Sequence, residues 1–258
     1  MNILKKNYLF EIISLTLLSL TGVLLIGLQN QLGWVSLGLG MISLLGCRKD
    51  FAKDIALIYL SVIILSVSKI NTDLSYYHMI EMVTLTIALA LPYVISRYFY
   101  KSNSITFQVS SERTWSKKEI IYIFIAAAIA YILIPFYLKN TAYLNWSVEP
   151  GVSNMTRLFI TNALIWDELF FISTVLILRK WLPFIWANII QAILFASFLF
   201  ELFTGWHIMI FFFALMQTIF KKTESLLYVI VIHLVVDFFL FLALIQAHHT
   251  DWMPIFVT

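Results

Sequence analysis

Charge is what this chain has least of. Only 12% of its 258 residues are Asp, Glu, Lys or Arg, against about 25% in ordinary soluble domains. With 61% hydrophobic residues and a mean hydropathy of +0.91, that scarcity excludes a soluble globular domain and points to a polytopic membrane protein. The net charge of +3 is too small to argue for a nucleic-acid partner. A single cysteine, Cys47, excludes an intrachain disulfide and any multi-cysteine metal site. No small-x-small cleavage site closes the apolar run behind Lys5 and Lys6, so that run is read as a retained first helix, not a signal peptide. Glycine and proline are also few. No inverted repeat and no pair of Gly/Pro-broken helices is present, the usual sequence pointers to a transporter.

What is there instead is a series of nine apolar segments. They run Tyr8–Leu28, Leu32–Cys47, Ile55–Val67, Met79–Ser96, Ile120–Leu138, Leu158–Leu178, Phe184–Phe203, Ile208–Phe220 and Ser225–Gln246. A full helical crossing takes about 20 residues, so the second, third and eighth are short. The expected fold is all-α, a polytopic transmembrane helix bundle of eight to nine spans. With the N-terminus in the cytoplasm and sides alternating, 14 of the 17 basic residues fall on the cytoplasmic side. Only Lys69, Lys139 and Arg157 fall outside, the asymmetry expected of cytoplasmic loops. The polar loop Tyr98–Lys118 divides the chain into N-terminal helices, 1–118, and a C-terminal core, 119–258, expected to pack as one bundle. The expected location is a bacterial plasma membrane, with the lipid bilayer as the first partner.

Polar residues inside the apolar segments are unevenly spread. In the first four, Glu11, Asp54 and Glu81 lie near segment ends, where a side chain can reach the interface. The last four carry far more. Asp167 and Glu168 sit side by side in the sixth, Asn188, Gln191 and Glu201 in the seventh, Gln217 in the eighth with His207 at its mouth, and His233 and Asp237 in the ninth. A carboxylate at the bilayer centre costs at least ~2.5 kcal/mol, so such residues are expected to face one another or a water-filled cavity. Asp167 precedes Arg179 by 12 residues and His233 follows Lys222 by 11, so both lie at about 17 Å from the same boundary. His233 and Asp237 share a helix face. Carboxylates level with a histidine allow a general base on water, a divalent metal that activates water, or a proton relay. The bland alternative is a buried polar network that fixes helix packing.

Four stretches carry a resemblance. They are Asp167-Glu168-Leu169-Phe170-Phe171, Leu176-Ile177-Leu178-Arg179-Lys180-Trp181, Gln191 to Phe198, and Lys221-Lys222-Thr223-Glu224-Ser225-Leu226-Leu227 ahead of His233. Together they resemble the CPBP family of intramembrane proteases, which includes the CAAX prenyl endopeptidases and bacteriocin-processing or immunity homologues. The family pattern is Glu-Glu-x-x-x-Arg, then Phe-x-x-x-His, then His-x-x-x-Asn or Asp. The resemblance implies that Glu168 is the second glutamate and that Asp167 stands at the first. It implies that His233 and Asp237 form the terminal motif. Two positions depart from the pattern. Ile172 stands at the arginine, and Leu199 stands at the second-motif histidine. Glu201 lies two residues beyond Leu199. Phe203-Thr204-Gly205-Trp206-His207 satisfies Phe-x-x-x-His literally. Glu201, His207, Gln191 and Asn188 are therefore carried as accessory candidates.

The resemblance implies an endopeptidase acting on a peptide or membrane-protein substrate, with Asp167 and Glu168 activating water and His233 and Asp237 organising the site. A divalent metal and a metal-free, glutamate-activated water are both open. The competing reading is a scaffold of this type that no longer cleaves and serves as a bacteriocin-immunity or regulatory binding protein. The missing arginine and histidine favour it.

Overall fold

The computed structural model of the chain describes residues 2–67, 76–102, 105, 114–141, 173–198, 206–249 and 251. Among them every regular element is helical. The α-helices are α1 (Asn2–Thr21), α2 (Leu32–Ser43), α3 (Lys49–Val67), α4 (Tyr76–Val94), α5 (Lys117–Thr141), α6 (Phe184–Phe198), α7 (Trp206–Thr223) and α8 (Leu226–His248), with a further helical run at 173–178. Among the described residues, three stretches are long and apolar enough to cross a membrane: Tyr8–Gly27, Lys117–Phe136 and Leu226–His248. Leu32–Gly46, Val83–Phe99 and Phe184–Phe198 are shorter apolar helices.

Each apolar segment that falls on described residues is helical, and two of the short ones prove longer than their apolar cores. The third begins six residues early, at Lys49, and the eighth extends to Trp206 and Thr223. Polar, helix-compatible residues continue the backbone hydrogen bonding past the point where apolar character stops.

Local chemistry sets the ends. Ser116-Lys117-Lys118-Glu119 is a capping box: Ser116 N–H donates to Glu119 Oε2 at 2.7 Å, and Glu119 N–H donates to Ser116 Oγ at 3.3 Å. Ser225 caps α8, its Oγ accepting from Tyr228 N–H at 3.3 Å. Between α7 and α8 the chain reverses through Glu224, whose φ of 51° lies in the left-handed region. α1 runs on as a π-helical turn, Gly22–Gly27. There the wider backbone packs against α6, and a Cβ on Gly27 would sit 3.4 Å from Ser197 Cα.

The core joins distant parts of the sequence. One cluster combines Leu18, Ile55, Tyr59 and Val62 of α1 and α3 with Ile177, Leu178, Ala192 and Phe195. A second joins Leu138 of α5 to Phe241 and Leu244 of α8. A third joins Met216 and Phe220 of α7 to Tyr228 and Val229 of α8. Tyr228 also donates from its hydroxyl to Glu119 O at 2.8 Å, fastening α8 to the start of α5.

Glu11 and Asp54 correct the expectation that they reach outward to the interface. Each is only 5% exposed. Arg48 forks onto Glu11, with Nε to Oε1 at 2.6 Å and a terminal nitrogen to Oε2 at 3.0 Å. Asp54 Oδ2 accepts from Lys180 Nζ at 3.1 Å and from Trp181 Nε1 at 3.0 Å. A cation and an indole N–H that come to the carboxylates make it possible for both to turn inward.

Candidate functional site

His233 and Asp237 stand one turn apart on α8, and the geometry brings them together: His233 Nε2 lies 3.2 Å from Asp237 Oδ2. Both side chains are 13% exposed, so the pair is largely removed from solvent. A carboxylate at that distance fixes which imidazole nitrogen carries the proton and holds the ring in one orientation. His233 is the eighth residue of α8, about 12 Å along the helix from its Ser225 cap. Phe239 lies farther along the same helix and meets Tyr131 of α5 edge-on, with ring centroids 5.9 Å apart.

Asp167, Glu168 and Glu201 lie outside the described residues, as do Ile172 and Leu199. His207 falls in the first turn of α7. The described exit of the acidic segment is firmly held. Ser173, Thr174, Val175, Ile177 and Leu178 are buried, and the chain then turns at 179–181, Trp181 N–H donating to Leu178 O at 3.0 Å. Trp181 is clamped by α3 and by the residue that precedes it. Besides its bond to Asp54, it meets Phe51 edge-on at 5.6 Å, and the Arg48 guanidinium lies 5.1 Å from its ring centroid.

Asn188 and Gln191 lie on α6, and Asn188 faces α7. Asn188 Nδ2 donates to Ala214 O at 2.8 Å, and Thr218 Oγ1 donates to the same carbonyl at 2.8 Å. Gln217, on α7, is as fully buried as Gln191, both at 0%. Its burial is a tertiary fact. Its own segment shows only a polar residue in an apolar run. Among the described residues no three His, Cys, Asp or Glu side chains gather as for a metal ion. His233 and Asp237 supply two donors of suitable chemistry.

An all-α protein with helices long enough to cross a bilayer and a histidine–carboxylate pair within one of them is an integral membrane protein with the makings of an acid–base site. The particular family follows from its C-terminal part. Residues 149–239 match the family described as type II CAAX prenyl endopeptidase Rce1-like. That segment, about a third of the chain, is a domain of the Rce1-like CAAX (CPBP) protease family. It spans every candidate site residue, from Asp167 to Asp237. Among curated proteins and among solved structures, no match was found.

Proposed function

We propose that the chain is an intramembrane endopeptidase that hydrolyses a peptide bond in a peptide or membrane-protein substrate. The observation that carries the reading is the His233–Asp237 pair at 3.2 Å inside the segment with the Rce1-like match. In this reading Glu168, with Asp167 beside it, takes a proton from water. The hydroxide adds to the scissile carbonyl carbon, and His233, as an imidazolium whose Nε2–H is held by Asp237, donates its Nδ1–H to the oxyanion. The C–N bond then breaks, and the proton held by the carboxylate passes to the leaving amine. Asp167 keeps the charge of the family's first glutamate on a side chain one methylene shorter. Asn188, Gln191, Glu201 and His207 are accessory in this scheme. His233, Asp237 and the acidic pair are also the residues that would hold a divalent metal, and the hydrolysis written here uses none.

The arrangement in the membrane belongs to the same proposal: nine crossings with the N-terminus in the cytoplasm, residues 1–118 bracing a catalytic core at 119–258. The distribution of basic residues supports it.

A second reading is favoured by a specific observation. Ile172 removes the cation that would pair with the carboxylates, and Leu199 removes the second-motif histidine. A protein so altered would bind a peptide or partner helix without cutting it. Neither the family match nor the geometry supports bacteriocin immunity in particular.

Processing of a candidate substrate in membranes separates the two. Glu168→Ala and His233→Ala are expected to abolish processing, by a hundredfold or more, at normal protein levels. Processing that survives both substitutions at normal levels sinks the protease reading. Loss of both variants from the membrane would assign the residues to packing.

A further inference from the structure

At the end of the bundle where α6 begins and α7 ends, two cations close on one ring. The Arg179 guanidinium carbon lies 5.8 Å from the centroid of Phe184, and Lys221 Nζ lies 4.6 Å from the same centroid. The two charges therefore share one patch, no wider than roughly a Debye length of 8–10 Å, and they repel. Both residues are exposed. Among the described residues, neither forms an ion pair with a carboxylate. Lys180, next to Arg179, differs: it pairs with Asp54 at 3.1 Å. Glu224, three residues beyond Lys221, is exposed and pairs with neither cation.

The helix ends sharpen the imbalance. Lys221 belongs to the last turn of α7, where the negative end of that helix dipole favours it. Phe184, however, opens α6. The cations on its ring thus stand beside the positive end of a second helix, where a cation is disfavoured and an anion is drawn in. Two unpaired cations and a helix N-terminus on one patch call for an anion.

The adjoining residues identify it. Ile185 and Trp186 follow Phe184 in the first turn of α6 and are 58% and 57% exposed. In an integral membrane protein such residues lie against lipid, and a tryptophan at a helix end marks the headgroup level. A soluble anion would use the charges and leave this apolar shelf bare. An anionic phospholipid uses both. The guanidinium offers a planar fork to a phosphate, and the ammonium adds a point charge. We propose that Arg179, Lys221 and the N-terminus of α6 bind the phosphate of an anionic glycerophospholipid, whose acyl chains run along Ile185 and Trp186. The site uses neither His233 nor the acidic pair, so it stands whether or not the chain cleaves a substrate.

The test is the unfolding midpoint of the full-length protein in detergent micelles, with phosphatidylglycerol or phosphatidylcholine added. Phosphatidylglycerol is expected to raise the midpoint by ~2 °C or more at saturation, and phosphatidylcholine by less than half as much. In Arg179→Gln/Lys221→Gln the phosphatidylglycerol concentration that gives half the shift should rise at least ~10-fold. Lys49→Gln/Lys117→Gln removes the same charge from two exposed positions elsewhere and should move that concentration by less than ~2-fold. Each shift is taken from the variant's own lipid-free midpoint, so a change in basal stability does not enter. The single substitutions Arg179→Gln and Lys221→Gln should each weaken the response ~3-fold or more, and they decide the matter if the double variant does not accumulate. Equal shifts from the two lipids, or an undiminished response in the Arg179 and Lys221 variants, overturn the proposal. So does an equal loss in Lys49→Gln/Lys117→Gln, which would leave only net charge. The same shift from inorganic phosphate alone would put a soluble anion in place of the lipid, and overturns it as well.

Discussion

Arg48 shows how one exposed cation governs the interior. Its side chain is 43% exposed, yet it bonds a Glu11 carboxylate that is 6% exposed. Removing Arg48 leaves that carboxylate buried without its cation. Arg48→Ala is expected to cost about 1–3 kcal/mol, read as a fall in the thermal unfolding midpoint of the detergent-solubilised protein. Solvent around the guanidinium holds the figure below that of a fully buried pair. Arg48→Lys keeps the charge and loses the fork, so it should recover only part of the loss. The pH dependence separates the two cations. The hydrogen bond to Glu11 raises the Arg48 pKa above its ordinary value, against a smaller effect of burial. A raised folded-state pKa gives stability that is complete below the unfolded value and lost only above it. The contact in the native protein should therefore persist beyond the pH at which a lysine loses its charge. Lysine ordinarily titrates near ~10.4. The stability gap between the native protein and Arg48→Lys should accordingly widen from about pH 10 upward. A gap that stays constant to pH 11.5 would show that the charge on residue 48 does not act through Glu11.

At the scale of the helix, close approach matters more than propensity. A Cβ on Gly33 would lie 2.6 Å from both N and Cβ of Leu25 in the π-helical turn. The obstacle is partly backbone, so no rotamer relieves it. Gly33→Ala should push α2 off α1 and cost about 1–3 kcal/mol. Gly38, on the same helix, has nothing within 4 Å of the same added atom. Gly38→Ala should therefore be neutral, or stabilising by about 0.5–1 kcal/mol through helix propensity. Equal midpoints for the two variants would contradict the packing described here. The helices themselves were legible because a bilayer demands long apolar runs, and nearly every such run can be read directly from the residues. The His233–Asp237 contact was legible because four positions on a helix make neighbours without any tertiary knowledge. The π-helical turn was not. Gly22 and Gly27 bracket an ordinary apolar run, and only the packing against α6 distinguishes it. Glu11 and Asp54 were found but misplaced, because their partners lie 37 and 126 positions away and nothing local announces a cation that will come inward.

For the molecule as a whole, the decisive contact joins the N-terminal helices to the protease-like domain. Asp54 of α3 holds Lys180 and Trp181, and those two residues end the segment that carries Asp167 and Glu168. Phe51 and Arg48 close on the same indole, so the turn at 179–181 is gripped from three positions on one side. The grip holds the turn at 179–181, and two residues separate it from Phe184, where α6 begins. Asp54→Ala takes the acceptor from two donors at once. One of them, Lys180, is 37% exposed and can find water, while the indole N–H is the costlier loss. A destabilisation of about 2 kcal/mol is expected for the full chain. Asp54→Asn retains an oxygen for Trp181 and should recover roughly half of it. A further consequence separates a brace from a mere contact. If the N-terminal helices position the acidic segment, processing in Asp54→Ala membranes should fall at a temperature where the protein is still fully folded. Asp54→Asn should restore it in step with the midpoint. Undiminished processing in the alanine variant would mean that residues 1–118 hold the domain in the membrane without setting its geometry.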